Sequence, residues 1–253
     1  MRQSNSYILF YSAALTVVCA LALAFASISL KDKQDANIAR EKKANILSTV
    51  ITLKEDENIE AIYDKRIRSY VIDFNGNLRE GIAAEKVVIA EEYKKAPEER
   101  LLPVYEFRSE SDPNQVEYTV LPVYGFGLWN NIWGYVALKS DFNTVQGVKF
   151  QHAGETPGLG ARIESSEIQD RYKDKSIFEA GKVIAISMQK GEGIDYAEDN
   201  HKVDGMSGAT LTAKGVNNML KDYLTCYEKY LIKSQAIPAP AADTVQTVPT
   251  STN

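Results

Sequence analysis

Two short segments bring hydroxyl, carboxyl and glycine residues together in patterns that could hold a phosphorylated ligand. The first, residues 152–162, has the sequence HAGETPGLGAR and places Glu155 and Thr156 just ahead of a glycine-rich turn. Glycine allows backbone to approach a ligand closely and to adopt positive φ angles. A plain strand-to-helix loop can have the same composition, so this segment alone does not distinguish a binding site from a connection.

The second segment, residues 204–212, has the sequence DGMSGATLT and directly precedes a helical pattern. A hydroxyl at a helix start is usually an N-cap, which is the structural explanation for Thr210 or Thr212. The free N–H groups and partial positive charge of a helix N-terminus also favour a phosphate. The segment therefore indicates a phosphate site with a threonine hydroxyl in reach, without indicating that the two are bonded.

The elements that must position these segments are predicted to be strands and one long helix. Strand patterns rich in Val, Ile, Tyr and Trp cover residues 116–123, 132–138, 144–152 and 182–188. They predict a largely antiparallel sheet. Earlier in the chain, a strand pattern over 69–74 ends at the turn signal Asn75-Gly76, and residues 91–115 are predicted to be an irregular connection with a short strand at 103–108.

A long amphipathic helix is predicted after the second segment, because apolar residues recur there every three or four positions. Its apolar face comprises Val216, Met219, Leu220, Tyr223, Leu224, Tyr227 and Leu231. Residues 234–253 are rich in proline and small residues, which predicts a disordered tail.

The N-terminal region contains an uncharged run over residues 7–30. At about 1.5 Å per residue it spans roughly 36 Å, enough to cross a hydrocarbon core of about 30 Å. A cleaved signal peptide is the alternative, but its apolar region is usually shorter, roughly 7–15 residues. We therefore predict an uncleaved transmembrane helix, continued by a connecting helix within residues 32–55.

The charges flanking this run give an ambiguous orientation. Five basic residues follow it, namely Lys31, Lys33, Arg40, Lys42 and Lys43, against Arg2 before it. The positive-inside rule alone would place the bulk of the chain in the cytoplasm. That rule is weak where a large domain follows a single span, because long domains cross largely regardless of charge.

Composition disfavours two classes of protein. The chain has 253 residues with 29 Lys plus Arg and 34 Asp plus Glu, a formal net charge of −5. A mildly acidic chain is a poor partner for nucleic acid, which needs a basic surface. Two cysteines and two histidines are too few for a four-cysteine zinc site or a His-rich centre. We expect no nucleic-acid partner and no metal, and we assign no catalytic side chain.

Three motifs resemble those of the FMN-binding domain family. Residues 204–210, DGMSGAT, resemble its flavinylation signature D-[GA]-x-S-[GA]-A-[TS]. Residues 155–160, ETPGLG, match its glycine-rich loop, and residues 127–135, GLWNNIWGY, resemble its G-L-W segment. The resemblance covers the chain up to the tail. It is closest to the C-subunit family of Na⁺-translocating NADH:quinone reductases, and the G subunits of Rnf complexes are the alternative.

This resemblance implies a covalently bound FMN. In the family, a flavin transferase uses FAD to attach FMN through a phosphoester to the last residue of the signature, which is Thr210 here. The implied cofactor shell comprises Ser207, Gly208 and Ala209 at the phosphate, Glu155, Thr156, Leu159 and Gly160 beside the isoalloxazine ring and ribityl chain, and Trp129 as an apolar or stacking surface. Asp204 is left outside this shell, and Trp133 is left open between the cofactor and the sheet core.

The resemblance also implies an electron-transfer subunit that is not active alone. Electrons would come from NADH through a partner subunit's FAD and iron–sulfur centre, and would pass through this FMN toward another flavin and quinone, coupled to Na⁺ export. The other subunits, the transferase and the membrane are the implied partners. The family places its flavin domain on the periplasmic side of the bacterial inner membrane.

Two other functions stay open: a membrane-anchored assembly module without flavin, and a stand-alone extracytosolic flavoprotein reductase. The expected fold class is α+β, with an N-terminal transmembrane helix followed by a mostly antiparallel sheet packed with helices, of the FMN-binding domain type. The expected divisions are an N-terminal segment over 1–31, a membrane-proximal helix and first part of the soluble domain over 32–115, the FMN-binding domain over 116–233 and the tail over 234–253.

Overall fold

The computed structural model describes residues 4–54 and 56–236, and the chain divides between Ala44 and Asn45 into two units. The first unit consists of most of helix α1 (Asn5–Ser48), whose residues are exposed from Asn5 to Glu41. Among the described residues, α1 is the one helix long and apolar enough to cross a membrane, a test that a signal sequence also passes. The predicted span and the predicted connecting helix belong to this single continuous helix.

The second unit is built on a five-stranded antiparallel sheet in the order β1-β2-β3-β4-β5. Its strands are β1 (Ile67–Ile72), β2 (Leu102–Arg108), β3 (Val116–Phe126), β4 (Asn131–Lys139) and β5 (Val145–His152). Each strand pairs with its neighbour in sequence, because the chain turns back at every connection. The predicted fold class, an antiparallel sheet domain packed with helices after an apolar N-terminal helix, is confirmed.

Both faces of this sheet are buried, and strand alternation assigns side chains to two separate cores. In β3, Leu121 and Val123 belong to the core under the C-terminal helix, whereas Val120 belongs to the opposite core. The opposite core also contains Ile46 and Leu47 from the end of α1. Full burial of one such aliphatic side chain contributes about 1.5–3 kcal/mol, so each core stabilises its own face of the sheet.

Helix α5 (Thr210–Gln235) covers one face of the sheet. The predicted apolar face is confirmed, because all seven of its residues are buried. Tyr227 also donates its hydroxyl to the Pro103 carbonyl at 2.9 Å, which ties the middle of the helix to β2. The helix ends two residues beyond the predicted boundary at residue 233, and residues 237–253 of the predicted tail lie outside the described part of the chain.

The prediction of one sheet strand over residues 182–188 is wrong. Lys182–Val183 is β7 and pairs with β6 (Phe178–Glu179), whereas Ser187–Met188 is β8 and pairs in parallel with β9 (Lys202–Val203). Ala185 lies between them with φ +58, a left-handed conformation that interrupts an extended strand. The remaining helices are α2 (Ile59–Arg66), α3 (Ile89–Glu92), α4 (Ser166–Asp170) and short 3₁₀ turns at Ala84–Lys86, Pro97–Glu99 and Gly160–Glu164.

Candidate functional site

The three motif segments meet at one end of the sheet. The hairpin between β3 and β4, residues 126–131, is closed by the Gly127 N–H bond to the Asn130 carbonyl at 2.9 Å. The loop that follows β5 is tied to the same hairpin by the bond from the Ala153 N–H to the Asn131 carbonyl. Helix α5 begins beside both, because Gly215 of its second turn lies against Phe126 and Gly127 of the hairpin. The topology therefore unites segments that are distant in sequence.

Glu155 is the residue at which the three segments are joined. Its Oε1 accepts hydrogen bonds from the backbone N–H groups of Leu128 and Trp129, both at 2.9 Å. Its Oε2 accepts the hydroxyl of Thr212 at 2.6 Å, so the loop, the hairpin and the helix share one carboxylate. Glu155 itself is 4% exposed and Thr212 is 1% exposed. The carboxylate is thus an internal connector of the site.

The protonation state of Glu155 follows from these bonds. Burial alone raises its pKa, but the bonds from Thr212 and from the backbone N–H groups of Trp129 and Leu128 lower it, and the net pKa lies below its ordinary value. The three hydrogen-bond partners named above are all donors, and only the ionised form accepts at all of its oxygen sites. Glu155 is therefore a carboxylate at neutral pH.

Gly160 lets the glycine-rich loop pack directly on this carboxylate. A Cβ at that position would lie 2.5 Å from Thr212 Oγ1 and 2.6 Å from Glu155 Oε2. Real side chains do not approach so closely, so the position requires glycine. Gly160 is buried and borders the Glu155–Thr212 bond, so packing accounts for one of the three glycines in residues 152–162.

The N-terminus of α5 carries donors that no side chain satisfies. The N-cap, Ala209, offers no side-chain acceptor, and the N–H groups of Thr210, Leu211 and Thr212 find no acceptor among the described residues. Gly208, just before them, has φ +75, which turns the chain into the helix. Unpaired N–H groups and the helix dipole give this end a partial positive charge. The donor set fits a phosphate group.

Three hydroxyls lie near this end, and the structure distinguishes them. Ser207 and Thr210 are exposed. The Thr212 hydroxyl is buried and donates to Glu155. An enzyme that modifies a hydroxyl needs access to it, so Thr212 is excluded as a modification site in the folded chain, whereas Thr210 is accessible.

Exposed apolar side chains lie on the same three segments. Trp129 is 69% exposed, and its indole N–H donates to the Thr156 hydroxyl at 3.2 Å, which orients the ring. The other large exposed apolar residues there are Phe126, Leu128, Leu159 and Leu211. Exposed apolar surface next to a helix N-terminus that can bind a phosphate suits a ligand with an anionic group and a flat ring. Trp133 instead is half-buried and donates to Gln151 Oε1 at 2.8 Å.

Asp204 is used inside the loop that precedes α5. Its carboxylate accepts the N–H groups of Gly193, at 2.7 Å, and Ile194, at 3.1 Å. Arg171 donates to the backbone carbonyls of Asp204 and Gly205. These bonds fix the loop that carries Glu192, and the exclusion of Asp204 from the cofactor shell stays a prediction.

Glu192 lies beside Ser207 of the signature. It accepts the Ser207 N–H at 3.0 Å and pairs with Arg162 at 2.5 Å and Arg171 at 3.3 Å. The hydrogen bonds from Arg162 and Ser207 lower its pKa from 4.5 to about 2. Such a group stabilises the fold above the unfolded pKa, and this contribution disappears as the pH falls from about 4.5 to about 2.

Glu192→Gln is expected to lower the free energy of unfolding at pH 7 by about 1 kcal/mol, because the ion pairs are partly solvated. It is also expected to lose less stability than the wild type between pH 5 and pH 3. Urea unfolding of both full-length proteins in detergent at several pH values measures this. Parallel curves for the two proteins would contradict the assignment.

Several residues of this site are not identified by the sequence patterns. The sequence indicates Thr212 only as a possible N-cap, and its partner lies 57 residues away in the chain. Glu192 and Arg162 belong to no motif that assigns them a role. The one available signal is the second hydroxyl of the TLT sequence, which lies one helical turn before the apolar residue Val216 and therefore near the buried face of the helix.

Comparison with known proteins gives concordant matches. The model for the FMN-binding domain family matches residues 127–225. The C-subunit of the Na⁺-translocating NADH-quinone reductase from Haemophilus ducreyi is 34% identical over 239 residues, covering 88% of this chain and 91% of that protein. The C-subunit from Pseudomonas aeruginosa is 29% identical, covering 88% and 92%.

Two solved structures have the same fold. The C-subunit of the Na⁺-translocating NADH-quinone reductase from Parabacteroides distasonis has a TM-score of 0.69 and 32% sequence identity, covering 80% of this chain and 96% of that one. NqrC from Shewanella oneidensis has a TM-score of 0.69 and 25% identity, covering 80% and 100%. The matches therefore extend well beyond the three motifs.

Proposed function

This chain belongs to the C-subunit family of the Na⁺-translocating NADH-quinone reductase, and from that premise we propose that it carries electrons through an FMN joined by a phosphoester to Thr210. One observation carries the proposal. Thr210 presents an exposed hydroxyl at a helix N-terminus whose donors no side chain satisfies, within the region matched by the FMN-binding domain. Thr210 therefore combines an accessible hydroxyl oxygen, a helix N-terminus that can bind an anion, and the position at which the family signature ends.

The residues present fit FMN. The phosphate would lie at the start of α5, near Ser207, Gly208 and Ala209. The isoalloxazine ring would lie on the exposed apolar surface, where Trp129 offers a large flat face and Leu159 an aliphatic contact. Contact of Thr156 and Gly160 with the flavin stays a prediction; in the structure, Thr156 accepts the Trp129 indole N–H, and Gly160 lets the loop pack on Glu155.

Attachment exchanges one phosphorus–oxygen bond for another. The Thr210 oxygen forms a bond to the phosphorus of the FMN half of FAD, and the bond from that phosphorus to the bridging oxygen of the pyrophosphate breaks. AMP leaves with the bridging oxygen and the electron pair, and the hydroxyl proton is released. A flavin transferase is the proposed catalyst, as the family resemblance implies. The unpaired N–H groups at the start of α5 would then hold the phosphate charge.

The bound flavin supplies reversible electron transfer, while the chain positions it. Attachment keeps the cofactor on the protein while it meets successive partners. We propose that electrons pass from NADH toward quinone through the other subunits, coupled to Na⁺ export. The relatives that align over 88% of this chain are C-subunits of this reductase, which favours this complex over an Rnf-type complex.

Helix α1 fits a single-pass anchor for a membrane complex. We propose that it holds the chain in the bacterial inner membrane with the sheet unit on the periplasmic side. The basic residues after the span oppose this orientation by simple counting. A large domain after a single span crosses largely regardless of such charges, so the family orientation is retained.

The proposal is tested by intact mass. Full-length protein co-expressed with an active flavin transferase is expected to be heavier than its polypeptide by one FMN less one water. Peptide mapping is expected to place the added mass on the peptide that contains Thr210. A bare polypeptide mass, with a transferase shown to be active on another substrate, would contradict the proposal and favour an assembly module without flavin.

A further inference from the structure

We propose that Glu155 is a positioning residue for flavin attachment, acting through Thr212 rather than by contact with the flavin. The proposal rests on attachment at Thr210. The Glu155 carboxylate fixes the first turn of α5 relative to the β3–β4 hairpin. This keeps the Thr210 hydroxyl at a fixed distance from the Trp129 ring. The bond from Thr212 to Glu155 is the connection between the two.

The two oxygens of Glu155 serve two different elements. Oε1 holds the hairpin through the backbone N–H groups of Leu128 and Trp129, and Oε2 holds α5 through Thr212. Backbone donors do not depend on the residue type at 128 or 129, so the hairpin is held by its main chain. The 2.6 Å bond to Oε2 is of the charge-assisted kind, which is shorter and stronger than a neutral hydrogen bond.

The first turn of α5 depends on this bond. Ala209 gives the helix no side-chain cap, and Thr210 and Leu211 are exposed. Within the described chain, Thr212 makes the only side-chain hydrogen bond that ties residues 208–216 to another segment, and the next one toward the C-terminus is from Asn217 to the Met188 carbonyl. Without the Thr212 bond, this turn would keep the packing of buried residues such as Ala213 but lose its side-chain tie, so its exposed start would fray more readily.

Burial separates this role from direct recognition. Glu155 and Thr212 are 4% and 1% exposed, so an approaching transferase does not reach either side chain in the folded protein. Their effect on attachment must therefore pass through the position of Thr210. A reacting oxygen that is displaced or mobile reacts more slowly, because the productive geometry is populated less often.

The experiment compares Thr212→Val, which keeps the shape and removes the donor, with Thr212→Ser, which keeps the donor. Glu155→Gln removes the charge at the other end of the bond. Tyr227→Phe is the matched control, because it also removes a buried hydroxyl donor from α5, at the Pro103 carbonyl and away from the helix start. Each full-length protein is incubated with transferase and FAD, and the initial rate of FMN incorporation is followed by intact mass.

Thr212→Val and Glu155→Gln are expected to slow incorporation about tenfold or more, as expected for loss of a buried charge-assisted hydrogen bond, whereas Thr212→Ser is expected to stay near the wild-type rate. Amide hydrogen exchange of the apo-proteins is expected to accelerate at residues 210–216 in Thr212→Val and not in Tyr227→Phe.

Wild-type rates in Thr212→Val and Glu155→Gln would overturn the positioning role, as would an equal decrease in Tyr227→Phe. Slow incorporation with unchanged exchange at residues 210–216 would overturn it as well. If the wild type itself acquires no FMN, the proposed function fails, and this outcome is distinct from the others.

Discussion

Thr210→Val is expected to abolish covalent flavin attachment while leaving the fold intact. Valine has nearly the shape of threonine but no oxygen, so no phosphoester can form. Thr210 is exposed and its side chain caps nothing, so the free energy of unfolding is expected to change by less than about 0.5 kcal/mol. The intact mass of the variant, co-expressed with transferase, is expected to equal that of the polypeptide, with no flavin fluorescence of the denatured band.

Thr210→Ser is the matched control, since it keeps a hydroxyl at the same position and is expected to retain attachment. Ser207→Ala removes the other exposed hydroxyl and is also expected to retain it. An FMN adduct on the Thr210→Val protein would show that a different side chain is the acceptor. Peptide mapping of that adduct would then decide between Ser207 and a site outside the signature.

Gly160→Ala is expected to have the largest effect on stability, a loss of about 1–3 kcal/mol, because the new methyl group overpacks a buried site. It would lie 2.5 Å from Thr212 Oγ1 and 2.6 Å from Glu155 Oε2, so the helix and the loop must separate. Thermal and urea unfolding of the apo-protein measure the loss, and the rate of FMN incorporation is expected to fall with it.

Gly154→Ala provides the control in the same loop, because a Cβ there meets only Asn130 atoms at 3.8 Å or more, an ordinary contact. Its effect on stability is expected to be small. The double variant Gly160→Ala/Thr212→Ala removes one of the two clashing atoms and is expected to be less destabilised than the sum of the single changes. Strict additivity would show that the clash at Thr212 does not cause the loss.

Local sequence patterns predicted the parts of the fold that depend on local geometry. The face of α5 that includes Val216 and Tyr223 is buried as the helical period requires, because a helix presents every third or fourth residue to the same side. The strands over 116–123 and 132–138 follow instead from their content of Val, Ile, Tyr and Trp, because both faces of the sheet are buried and leave no alternation of buried and exposed residues. The prediction over 182–188 is wrong because two-residue strands are too short to show a period and Ala185 adopts a positive φ.

By itself, the sequence determined that an apolar helix precedes an antiparallel sheet, and that a hydroxyl stands at the start of the last helix. It also indicated the family through three motifs, which are identified by residue type and order alone. Only the tertiary structure decided that Glu155 joins those motifs and that Thr212 is buried while Thr210 is exposed. The physical reason is that a side chain's partners and exposure depend on segments distant in the chain. Hydrophobic periodicity, in contrast, depends only on residues close together in sequence.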